Sequence, residues 1–101
     1  MNVENLLAES KIRFDFISQK NQLKEKYQSK MIFADQGGLW ISSLNFISEL
    51  NGIDDEIIIL LDNYENPIKV NRKQLLDKAK ENYNNIITQW YEEYSLLKNN
   101  R

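Results

Sequence analysis

From Asn71 to Arg101 the chain contains neither Gly nor Pro, the two residues that most readily interrupt a helix. Leu76, Ala79, Tyr83, Ile86, Trp90 and Leu97 recur there at steps of three, four and seven, the spacing that stacks side chains on one helical face. Glu93 stands where the next apolar residue of that stripe would fall, with Tyr94 beside it. Asn71 offers a capping oxygen at the start, and Gln74 three residues on completes a variant of the capping box. About 26 residues at 1.5 Å each make a rod of roughly 39 Å, longer than a compact domain of this size is wide. The C-terminal half of this helix is therefore expected to project or to pair.

The remaining chain is short enough that residues 1–101 read as one domain, with 1–9 a frayed helical arm carrying Val3, Leu6 and Leu7, 10–98 the core and 99–101 a tail. A content of 42% hydrophobic and 28% charged residues is that of a folding chain. Two Trp, five Tyr and four Phe are more aromatic surface than one small core is expected to absorb. The absence of Cys and His removes disulfides, thiolate chemistry, the commonest general base and the commonest zinc ligand. The acidic N-terminus does not resemble an export signal. The longest apolar run, Ile57 to Leu61, falls far short of the roughly 20 residues of a spanning helix. Thirteen basic and fifteen acidic residues give a net charge of −2, with no basic field to gather phosphates. Neither a membrane nor a nucleic acid is an expected partner, and the expected compartment is the cytoplasm.

Between Ser10 and Ser29 no Gly or Pro occurs, and Phe16, Leu23 and Tyr27 keep helical spacing while Lys20, Lys24, Glu25 and Lys26 fill the other faces. This predicts an amphipathic helix. Met31 to Ala34 and Leu39 to Ile41 flank Asp35-Gln36-Gly37-Gly38, where a Gly pair able to take positive φ predicts a hairpin; continuation of the first helix to Ala34 is the alternative. Ser42 or Ser43 can cap a short helix with Leu44, Ile47 and Leu50 inward, ending near Asn51-Gly52. The run Ile57 to Leu61 reads as a central strand buried on both faces, and Asp62 to Asn66 as a turn into the strand Ile68-Lys69-Val70, with Pro67 at a sheet edge. The fold class is α+β: long N- and C-terminal helices packed with a small antiparallel sheet of short hairpins and one short middle helix.

On the last helix Tyr83, Trp90, Tyr91 and Tyr94, with Leu75 and Ile87 on the flanks, make an apolar face wider than a two-stranded seam needs. Such side chains bury large areas at little entropic cost and are enriched at interface hot spots. They either pack on the first helix and the hairpins or meet a partner, and both can hold at different ends of one helix. Candidate partner-binding residues are Tyr83, Trp90, Tyr91, Tyr94 and Leu97, with Tyr64 at the second turn and Trp40, which is a core anchor or a contact. Lys20, Lys24, Lys26 and Lys30 read as a solvated face interrupted by Glu25. Asp54, Asp55 and Glu56, with Asp62 and Glu65, lack the alternation of a calcium loop and read as a solvated acidic turn. Gly37-Gly38 lacks the lysine of a phosphate loop. No catalytic, cofactor or metal motif is present.

Gly37-Gly38-Leu39-Trp40, the stretch from Leu60-Leu61-Asp62-Asn63-Tyr64 through Glu65-Asn66-Pro67-Ile68-Lys69-Val70-Asn71-Arg72, and the helix from Tyr83 to Trp90 resemble small uncharacterised proteins of T-even-type tailed phages, particularly those infecting cyanobacteria. The resemblance covers most of residues 10–98. It implies a virion, neck or tail component, an assembly factor or a host-takeover protein, located in the host cytoplasm or the particle, and it carries no catalytic residues. The expected function is thus non-catalytic: a small structural or assembly protein docking through its C-terminal helix on copies of itself, as a homo-oligomer, or on a larger protein assembly. A regulatory inhibitor of a host enzyme is the alternative, and a carboxylate-based metal enzyme using Asp55 or Asp62 ranks third.

Overall fold

The computed structural model describes the backbone of residues 3–99 and the side chains of residues 10–99. In chain order the elements are α1 (Val3–Lys30), β1 (Ile32–Asp35), β2 (Gly38–Ile41), α2 (Leu44–Asn51), β3 (Ile57–Leu61), β4 (Pro67–Asn71) and α3 (Arg72–Asn99). The fold is α+β as expected, although the strands form two separate antiparallel pairs, β1 with β2 and β3 with β4. The expected apolar group Val3, Leu6 and Leu7 lies outside the described side chains, and residues 100 and 101 of the tail lie outside the described residues.

Helix α1 stops at Lys30 and does not run on to Ala34, because a two-residue turn draws Ile32–Asp35 into a hairpin. Gln36 (φ 51°) and Gly37 (φ 82°) both take the left-handed conformation that such tight hairpin turns require. The two glycines therefore do different work. Only Gly37 supplies positive φ, whereas a methyl group on Gly38 would sit 2.7 Å from Trp40 Cζ2 and 3.2 Å from Asp62 Cβ. Gln36 also stitches the hairpin to the start of α3: its amide donates to the Asn71 carbonyl (3.1 Å) and accepts from the Asn71 N–H (2.7 Å).

In the second hairpin Asp62 organises the turn. Its carboxylate accepts from the backbone N–H groups of Tyr64 (3.0 Å), Asn66 (2.9 Å) and Leu39 (3.2 Å), the last on β2. The Asn63 N–H donates back to the Leu39 carbonyl at 2.7 Å, so the two hairpins are tied edge to edge. Strand β3 is not buried on both faces. Ile58 and Leu60 turn inward, while Ile57, Ile59 and Leu61 are exposed, because a two-stranded sheet with nothing packed outside it has only one covered face.

Ser43 caps α2, accepting from the Phe46 N–H at 3.1 Å, and Asn71 caps α3, accepting from the Gln74 N–H at 3.0 Å. Leu50 is buried and Ile47 half-buried, but Leu44, expected inward, is exposed; as the first residue after the cap it falls outside the stripe that meets the hairpins. The Arg72 guanidinium donates to the carbonyls of Leu50 (3.0 Å) and Asp55 (2.9 Å), closing the end of α2 against the start of α3.

Two apolar clusters lie in succession along α3. Trp40, Leu50, Val70, Leu75 and Leu76 form the first, beneath the hairpins and α2; Tyr27, Met31 and Ile86 form the second, with Leu23, Tyr83, Ile87 and Trp90 packed on it. The molecule measures 65 × 24 × 20 Å with a radius of gyration of 19.3 Å, against about 13 Å for a compact chain of this length.

Leu75→Ala, which opens a cavity at a fully buried position, is expected to destabilise the protein by about 2–5 kcal/mol in urea unfolding. Gly38→Ala is expected to cost about 1–3 kcal/mol, since Trp40 is held by its indole N–H donating to the Asp35 carbonyl at 2.9 Å and cannot swing clear.

Candidate functional site

Helices α1 and α3 run antiparallel, Lys30 lying beside Asn82 and Lys26 beside Glu93. Buried Tyr27 stacks on Trp90 with ring centroids 6.1 Å apart and planes 13° from parallel. The Tyr27 hydroxyl donates to Glu93 Oε1, which also takes the Lys26 ammonium at 2.7 Å. The acidic residue that breaks the apolar stripe of α3 is thus the acceptor for a phenol and an ammonium reaching across from α1. Hydrogen bonds from Lys26 and then Tyr27 hold the Glu93 carboxyl below the usual glutamate range, and the same bond to Glu93 pushes the Tyr27 phenol up. Farther up the seam the Asn82 amide donates to Ser42 Oγ (2.8 Å) and to the Met31 carbonyl (3.2 Å), and buried Ser42 donates to that carbonyl at 3.0 Å. This polar node locks the end of α1, the end of β2 and α3 together.

Two paired helices form a layer with two broad faces, and these differ. Gln19, Gln22, Lys26 and Glu93 occupy one, around a cleft of about 500 Å³ that reaches Leu23, Leu96 and Leu97. The other holds an apolar groove of about 560 Å³ walled by Met31, Ile32, Ile41, Leu44, Ile87 and Trp90, with Tyr83 and Gln28 at its edge. Helical periodicity extends the groove face along the layer. Tyr91 and Tyr94 follow Ile87 at i+4 and i+7, and Ile17 and Phe14 lie within about 20° and 40° of Gln28 round α1. Phe14 and Tyr91 are each 70% exposed, Leu44 61%, and Ile17, Ile32 and Ile41 between 42% and 48%. One side of the layer sets an ion pair and amides around Leu23, Leu96 and Leu97, and the other carries the larger apolar groove, with further exposed apolar side chains along the same face.

Of the residues singled out from sequence, the fold gathers Tyr83, Trp90, Tyr91 and Tyr94 on this groove face, the first two and Tyr94 half-buried. Leu97 lines the cleft on the opposite side. Tyr64 is exposed at the turn between β3 and β4, apart from the groove. Trp40 is a core residue, 2% exposed and stacked on Phe46, and presents no surface to a partner. Lys26 and Lys30, expected as part of a solvated face, each lie 5.1 Å from the Tyr27 ring centroid. Sequence reasoning missed Phe14, Ile17, Ile32, Ile41 and Leu44. A signal for one pair existed: the two-residue turn sets Phe33 opposite Trp40 and Ile32 opposite Ile41, so burial of Trp40 turns the isoleucines outward.

Asp62 spends its oxygens on backbone donors, with the Asn66 N–H first among those that hold its carboxyl below the usual aspartate range. Among the described residues no three acidic side chains converge to hold a metal ion, and no helix is long and apolar enough to cross a membrane. No family model, no curated protein and no solved structure matches the chain.

The linkage has a definite sign. A carboxyl with a lowered folded pKa adds stability above its unfolded pKa and loses it as pH falls through the folded value; a phenol with a raised pKa adds stability below about pH 10 and loses it as pH rises further. Glu93→Gln is therefore expected to lower the melting temperature at neutral pH, with the gap to the parent protein closing below about pH 4. Thermal unfolding followed by circular dichroism at pH 3, 7 and 10 checks this, and an undiminished gap at pH 3 would refute the linkage.

Proposed function

We propose that this protein is a non-catalytic interaction module of the structural or assembly kind, docking another protein on the apolar face of the α1–α3 layer. The observation that carries this reading is the apolar groove where the end of α1, the first hairpin, the start of α2 and α3 meet. One side of the layer sets the Lys26–Glu93 ion pair and two glutamines around Leu23, Leu96 and Leu97, whereas the other leaves Ile32, Ile41 and Leu44 exposed at a preformed groove, with Tyr91, Ile17 and Phe14 exposed farther along the same face. An exposed apolar groove rimmed by polar groups is the mark of an interaction site, and the aromatic residues at and beside it are those of a hot-spot region. The setting, a phage particle or its assembly in the host cytoplasm, follows from the sequence resemblance alone.

A second contact is favoured by the outer face of the β3–β4 hairpin, where Ile57, Ile59 and Leu61 form an exposed row near exposed Tyr64. A regulatory protein gripping a host enzyme would use this hairpin, and substitutions there would then matter more than those in the groove.

Tyr91→Ala and Leu44→Ala alter exposed side chains, so both variants are expected to keep the parent circular dichroism and melting temperature. Each is expected to weaken docking by about tenfold or more, read by copurification from the native source and titration of the purified partner. Folded variants that leave every association intact would overturn the proposal, and loss confined to Ile59→Ala would shift it to the hairpin.

A further inference from the structure

The two ends of the groove face have opposite shapes. At the hairpin end lies the concave groove between Met31, Ile32, Ile41, Leu44 and Trp90. At the other end α1 runs on past the level where Leu96 and Leu97 of α3 meet Gln19, Gln22 and Leu23, carrying Phe14 and Ile17 as a ridge on the same side. A ridge and a groove on one surface, separated along one axis, are self-complementary under a two-fold rotation, as an isologous contact requires.

The spacing along α1 fixes the register of such a pair. Phe14, Ile17, Asn21, Lys24, Gln28 and Met31 alternate by three and four residues, the pattern of a helix–helix seam. In an antiparallel pair of α1 helices the rotation that sets Phe14 opposite Met31 also sets Ile17 opposite Gln28 and Asn21 opposite Lys24. The apolar residues of each arm then fall at the other chain's groove, and the middle of the seam holds two layers that each set an amide against an ammonium. A polar layer at such a position selects register and orientation. The exposed parts of Phe14, Ile17, Ile32, Ile41, Leu44 and Tyr91 offer on the order of 600 Å² per chain, before half-buried Tyr83, Ile87, Trp90 and Tyr94 are added, against roughly 800 Å² per partner in a standard interface.

We infer that the groove's occupant is the α1 arm of a second copy, so that two chains close into an antiparallel four-helix bundle, each arm filling the other's groove. The inference rests on the docking reading above and names its partner. The closed two-fold also explains why one face holds both features: every ridge has a groove.

The sequence has no Cys, which permits a clean test. Light scattering of the purified protein is expected to give twice 12.0 kDa, with no larger species. Ile17→Glu and Leu44→Glu, at exposed positions, are expected to yield folded monomers. An Ile17→Cys, Gln28→Cys double variant is expected to form a disulfide-linked dimer on oxidation, while neither single variant does, because like positions sit about 16 Å apart along the pair. A chain of monomer mass at several hundred micromolar, or single variants that cross-link as well as the double, would overturn the inference. A monomer whose groove variants still lose a purified heterologous partner would leave the docking reading standing and remove only the self-pairing.

Discussion

Helix α3 serves two unlike neighbours in succession, and neither would hold together without it. Its first turns place Leu75 and Leu76 beneath the hairpins and α2, and beyond Asn82 it packs against α1. A two-stranded hairpin is marginal in water on its own, and here two of them meet through Asp62, Leu39 and Asn63 and through Gln36 and Asn71. An isolated helix gains most of its stability from packing a face, and α1 packs on α3. Continuity of α3 across the junction is therefore what turns two small clusters into one folded unit. The node of Asn82, Ser42 and Met31 sits at that junction and satisfies polar groups that would otherwise be stranded there.

Elements whose cause is local were legible in the sequence. The stripe and cap of α3, the Ser43 cap of α2 and the turn chemistry of both hairpins depend on residues within a few positions of one another. Burial was less legible. A run such as Ile57 to Leu61 looks the same whether one or both faces are covered, and only the number of strands decides. The Gly pair was read as one device although Gln36 and Gly37 make the turn, while Gly38 makes room for Trp40.

The docking face divides in the same way. Tyr83, Trp90, Tyr91 and Tyr94 were visible as an overwide face because they share one helix. Phe14, Ile17, Ile32, Ile41 and Leu44 join it only through the way α1 and the first hairpin lie on α3, which periodicity does not encode. Glu93 shows the boundary between the two kinds of information: its place in an apolar stripe marks an irregularity, but the phenol and ammonium that explain it come from a helix more than sixty positions away.

The side chains that hold the layer together overlap only in part with those that give it a sticky side. Tyr27, Asn82, Ser42 and Glu93 lie in the seam or toward the polar face, where each satisfies a partner. Phe14, Ile17, Leu44 and Tyr91 project from the other face, where removing atoms leaves no buried polar group unpaired. Met31, Tyr83, Ile87 and Trp90 serve both ends, lining the groove while packing in the second cluster. A chain built this way can change what it meets at Phe14, Ile17, Leu44 and Tyr91 while the antiparallel pairing beneath stays as it is, because these four belong to neither buried cluster.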